Sequence, residues 1–150
     1  MLKVKWSRRH SWADWRLAME AIWWLGFLRM ALCFLPFKQI LRRMGLNIVS
    51  ANAPQGCPDC NVAKAARISW AVSAAAARIP WRSTCLIQAL AGARMLRRRS
   101  IPATLHLGAA RNPTNSSILE AHAWLRCDDT ILIGKSDRER FTELATFTTQ

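Results

Sequence analysis

The residues able to do covalent or proton-transfer chemistry are few: cysteines at 33, 57, 60, 85 and 127, and histidines at 10, 106 and 122. Cys85 stands in "PWRSTCLIQALAGARMLRRR", just inside what reads as a helix start. With Ser83 as N-cap, Cys85 falls at the second helical position, within the turn whose backbone amides have no intrahelical acceptor. Those amides, the helix dipole and nearby Arg82 favour a thiolate. The same amides could hold the negative oxygen of a tetrahedral intermediate. The competing reading is a small buried filler, because Cys85 directly precedes an apolar stripe of Leu86, Ala89, Leu90, Ala93 and Leu96. Pattern alone leaves both open.

A nucleophilic thiol needs a base. His122 lies between Ala121 and Ala123 in the alternating run "ILEAHAWLRC", on the side opposite Leu119 and Leu125. There an imidazole could meet the amino end of the cysteine helix, take the thiol proton and return it to a leaving amine. His106, in "ATLHLG", competes for the role but stands in a neighbouring strand. His10 carries no site signal. For a third group, a two-residue turn at Asp128–Asp129 would set Lys135 opposite His122 and Gly134 opposite Ala123. Neither offers a side-chain acceptor for imidazole. Asp137 lies just beyond and could fold back, while adjacent aspartates read as turn formers. "CPDC" at 57–60 lacks a second CxxC or CxxH for zinc and the βαβ context of a redox pair, so its cysteines read as incidental thiols.

These residues need elements to position them. Residues 12–35 read as a helix apolar on nearly every face, broken by Pro36. "FKQILRRMG" supplies a short amphipathic helix ended by Gly45. "SANAPQGCP" is a turn-rich linker, and residues 59–77 form the next helix. It presents Val62, Ala65, Ala66, Ser69, Trp70 and Val72–Ser73 at helical spacing. After the cysteine helix the period changes to two. "ATLHLG", "ILEAHAWLRC" and "TILIGK" read as three strands, separated by the loop "AARNPTNSS" and the turn "DD". Helices first and an antiparallel sheet after make an α+β domain. Residues 1–50 are a helical segment, part of the same domain or a partner-docking surface, and residues 51–150 are the core.

Composition bounds the rest. Half the residues are apolar (51%), which fits one globular domain in 150 residues. The net charge is +13, with nine basic and two acidic groups in residues 1–50 but five and six in residues 101–150. Such a field attracts an acidic peptide, an acidic protein, RNA or an anionic membrane surface. No nucleic-acid motif accompanies it, so nucleic acid is not expected as partner. Within residues 21–37, Arg29 separates two apolar runs of eight, short of the roughly 20 residues a span needs. A helix buried in its own domain or against a partner is favoured there over peripheral membrane contact. The odd cysteine count and the lack of a clean signal-peptide pattern suggest a cytoplasmic setting. No P-loop, dinucleotide fingerprint or HExxH occurs, so neither cofactor nor metal is expected.

A cysteine at a helix start ahead of a strand histidine is the order used by papain-like enzymes. More specifically, "PWRSTCLIQALAGARMLRRRSIPATLHLG" followed by "EAHAWLRCDDTILIG" resembles the transglutaminase-like leader peptidases of lasso-peptide biosynthesis, the peptidase half of the microcin-maturation protein. The resemblance is specific from about Pro80 to Gly134 and looser over "FLRMALCFLPFKQILRRMG". It implies a transglutaminase/papain-like core, Cys85 as nucleophile and His122 as general base. Trp81 matches the aromatic residue ahead of the nucleophile. The family's orienting aspartate falls at about Gly134, so the third role passes to Asp137, to a backbone carbonyl or to nothing. The implied activity is a cysteine peptidase removing the leader of a ribosomally made precursor peptide. The implied partners are a separate small leader-recognition protein and an ATP-dependent lasso cyclase.

Overall fold

The computed structural model describes residues 12–49, 61–115, 117–136 and 138–149. Four helices precede most of a five-stranded antiparallel sheet, as an α+β reading requires. The helices are α1 (Trp12–Phe34), α2 (Phe37–Met44), α3 (Val62–Ala76) and α4 (Cys85–Arg97). Pro36 caps α2, and Gly45 ends it in the left-handed conformation, φ 65°. α1 buries Ala21, Trp24, Leu25, Leu28 and Ala31. α3 buries Ala65, Ile68, Ala71, Val72 and Ala75, a face displaced from the expected one, and leaves Val62 exposed. Ile68 carries the bulk in a helix whose other buried residues are alanine and valine, which lets neighbouring helices approach closely.

The strands are β1 (Leu46–Val49), β2 (Thr104–Arg111), β3 (Leu119–Cys127), β4 (Thr130–Ile133) and β5 (Thr142–Thr149), in the order β1-β5-β2-β3-β4. Three strands stand where alternation places them, although β2 runs on through Ala109–Arg111, part of the segment expected as loop. β1 and β5 were not legible as strands. They pair with each other, and β5 lies between β1 and β2, completing the sheet.

Helices and sheet share one core. Within α4, a Cβ on Gly92 would lie 2.6 Å from Ile133 Cδ1 and 2.9 Å from Leu125 Cδ2, so α4 rests directly on β3 and β4. α3 packs beside it, and Ser69 Oγ donates to Leu132 O on β4. Ion pairs hold α1 to its neighbours: Arg67 to Asp14 at 2.6 Å, and Arg99 to Glu20 at 2.6 Å.

Two details of the sheet differ from simple hairpin geometry. Asp128 and Asp129 do form the turn, Asp128 at φ 53°, a conformation aspartate tolerates. A bulge then follows: Arg126 pairs with Ile131, but Leu125 pairs with Ile133. This shift of one residue leaves Gly134 one place short of Ala123, so the expected pairing of Gly134 with Ala123 and Lys135 with His122 does not occur. Cys127 is fully buried and disulfide-bonded, whereas Cys33 and Cys85 are free thiols. Cys57 and Cys60 lie outside the described residues.

Candidate active site

The N-cap of α4 is Thr84, not Ser83. Its hydroxyl accepts from Ile87 N at 3.4 Å, which makes Cys85 the first helical residue. Gln88 N is bonded to Thr84 O at 3.1 Å. The amides of Cys85 and Leu86 are left without an acceptor among the described residues. These two N–H groups, at the positive end of the helix dipole and beside the thiol, form the anion-holding feature of the first turn. Arg29 Nη1 donates to Arg82 O at 3.1 Å, and Gln88 Nε2 to Ser83 O at 3.1 Å, fixing the segment that enters α4. Cys85 is a half-buried free thiol.

α4 is oriented by its other end. Arg97 Nη1 donates to Met44 O at 3.0 Å, next to Leu46, which pairs with Thr149. Thr149 N donates to Ala103 O at 3.0 Å, at the start of β2. Gly92 lies over Leu125 of β3 and Ile133 of β4. Gly108 and its cross-strand partner His122 lie farther along β2 and β3.

His122 is half-buried, and its Nε2 lies 3.0 Å from Gly134 O. A carbonyl only accepts, so Nε2 carries the proton and, in neutral imidazole, Nδ1 is left as the basic nitrogen. Nδ1 has no partner among the described residues. Of the three options for the third role, the structure places a backbone carbonyl on the ring. Asp137 lies outside the described residues. Gly134 adopts φ 78°, and a Cβ there would collide with Ala123 O and crowd Trp124 Cα and Cβ at 3.0 Å. Glycine is what lets this carbonyl reach the imidazole.

Aromatic rings wall the histidine. Phe141 lies 4.9 Å from it, centroid to centroid, and Trp124 lies 6.1 Å away at 26°. Trp124 in turn stacks on His106 at 5.5 Å and 1°. Gly108 makes room for that indole, since a Cβ on it would lie 2.9 Å from the ring. His106 is buried, with Nδ1 3.1 Å from Glu143 Oε1 and 3.4 Å from Thr146 Oγ1. The imidazole–carboxylate pair therefore belongs to His106, on the far side of Trp124 from His122. Glu143 went unnoticed in the sequence because the strand carrying it was not recognised.

Cys85 and His122 are not hydrogen-bonded to each other. Leu125 points toward α4, whereas His122 and Trp124 alternate to the other face. β4 stops at Ile133, so beyond it β3 has no outer neighbour in the sheet. Among the described residues no group of three or more His, Cys, Asp or Glu side chains is placed to hold a metal ion.

No curated protein and no solved structure matches the chain. The family model described as the transglutaminase-like superfamily matches residues 30–146, from the last turn of α1 into β5. That span includes Cys85, His122 and the sheet that carries the histidine. The superfamily includes cysteine peptidases and transglutaminases, both of which use a thiol nucleophile. With most of its length under that match, the chain belongs to the transglutaminase-like superfamily.

Proposed function

We propose that the protein is a cysteine peptidase that removes the leader from a lasso-type precursor peptide. The observation that carries the reading is the hydrogen bond of His122: Nε2 is held by Gly134 O, which leaves Nδ1 without a partner among the described residues and available as a base. In this reading Nδ1 takes the thiol proton and Sγ attacks the carbonyl carbon of the leader's last residue. The oxyanion so formed is held by the amides of Cys85 and Leu86. Collapse of the intermediate breaks the C–N bond, and His122 gives its proton to the departing amine of the core peptide. Water, deprotonated by His122, then attacks the thioester, releases the leader as a carboxylate and restores the thiol.

The partners in this reading are the precursor, a separate leader-recognition protein and the cyclase that consumes the freed amine, all in the cytoplasm. A non-catalytic peptide-binding subunit is the second reading, favoured by the lack of a hydrogen bond between Cys85 and His122. A lasso precursor incubated with its recognition protein and this chain, read by mass spectrometry, separates the two. Cleavage that disappears with Cys85→Ala supports the peptidase; undiminished cleavage by that variant overturns the nucleophile. Transfer of the leader to an added amine instead of water would mark a transglutaminase proper.

A further inference from the structure

α1 is apolar on two opposite sides. One side is in the core, with Ala21 and Leu25 fully buried. The other presents Trp12, Trp15, Met19, Trp23, Phe27, Met30 and Phe34, each between 50% and 86% exposed. Their spacing of three or four residues puts them on a single stripe, about 33 Å long at 1.5 Å per residue. Trp23 and Phe27 already stack on each other at 5.3 Å and 4°. We propose that this stripe seats the protein on an anionic membrane surface, with α1 lying in the plane of the interface.

Three observations select a lipid surface over other occupants. First, the stripe is built from Trp, Phe and Met with no acidic member, and tryptophan is the residue enriched where apolar and aqueous phases meet. Second, charge complements anionic lipid: residues 1–50 hold nine basic groups, among them Arg16, Lys38, Arg42 and Arg43. The two acidic groups of that segment are already engaged, Asp14 by Arg67 and Glu20 by Arg98 and Arg99. Third, α1 is long and apolar enough to cross a membrane. Its ion pairs and its face packed on α3 and α4 hold it within the domain, so it lies along the surface instead.

The test is sedimentation of the full-length chain with phosphatidylglycerol vesicles and with phosphatidylcholine vesicles. Binding to the anionic vesicles should exceed binding to the neutral ones by at least about tenfold and weaken with salt. Trp23→Gln combined with Phe27→Gln should reduce it by at least about tenfold, since two large apolar groups leave the interface. Leu144→Gln, an exposed apolar site on β5, should leave it unchanged. Cys85→Ala should bind like the unaltered chain, which keeps this result separate from the peptidase reading. Absence of anionic-vesicle binding at low salt, or equal binding by the double variant, would overturn the proposal. So would a stable dimer abolished by the same double variant, which would assign the stripe to a second copy.

Discussion

Replacing Gly134 by alanine strikes the hydrogen bond that orients the candidate base. The site holds φ 78°, and the added Cβ meets Ala123 O and the Trp124 backbone. Left-handed backbone at a non-glycine residue costs about 1–3 kcal/mol. Relieving a collision with backbone, which cannot swing aside as a side-chain tip can, costs a further amount of about 1–3 kcal/mol. The sum falls at about 2–6 kcal/mol, a shift of at least about thirtyfold in the folding equilibrium. If the chain relaxes by turning the carbonyl away, the bond to His122 Nε2 at 3.0 Å is lost as well. A bond of that kind contributes about 1 kcal/mol, so turnover per folded molecule should fall severalfold. Urea denaturation read by circular dichroism measures the first effect, and precursor cleavage corrected for folded fraction measures the second. Gly134→Asp is the sharper variant: it supplies the carboxylate that the family resemblance expects at this place, yet it carries the same Cβ. It should be destabilised and slower. An aspartate variant as stable as the unaltered chain and faster in cleavage would refute the assignment of the third role to the backbone.

Further predictions concern the elements around the site. Thr84→Ala should destabilise the fold by about 0.5–2 kcal/mol by removing the cap on Ile87 N, whereas Ser83→Ala, whose hydroxyl has no partner among the described residues, should stay within about 0.5 kcal/mol; equal effects in urea melts would contradict the cap assignment. Gly108→Ala should cost about 1–3 kcal/mol, because its Cβ meets the Trp124 ring and Thr142 O at 2.9 Å; a neutral thermal melt would show that the indole shifts freely. His106→Gln should lower stability by removing the buried imidazole's pair with the more exposed Glu143 while leaving precursor cleavage per folded molecule unchanged; complete loss of cleavage would move the base to His106.

The elements with a strong period were legible in the sequence. Pro36 and Gly45 bracket α2, Asp128–Asp129 turns the β3–β4 hairpin, and of the apolar stripe of α4 Ala89, Leu90, Ala93 and Leu96 are buried while Leu86 is half-buried. What escaped was set by tertiary contact. β1 is four residues long, too short to show alternation, and β5 is rich in threonine, a good strand former that reads as polar. The bulge at Leu125–Arg126 has no signature in a two-residue period, and it displaces Gly134 from its expected partner. A backbone carbonyl leaves no side-chain letter to read, so the acceptor on His122 could be named only as an option. Neighbouring Ser83 and Thr84 are both good N-caps, and only the fold chooses between them.

The central claim is that Cys85 is a nucleophile activated by His122. Iodoacetamide labelling at pH 6, quantified by peptide mass spectrometry, tests it most directly, because an ordinary thiol is less than about 1% ionised there. Cys33, an exposed free thiol, is the internal reference. Cys85 should label at least about tenfold faster than Cys33, and His122→Ala should bring it down to the Cys33 rate while the fold survives. Equal rates at the two cysteines, or a Cys85 rate indifferent to loss of the imidazole, would contradict it.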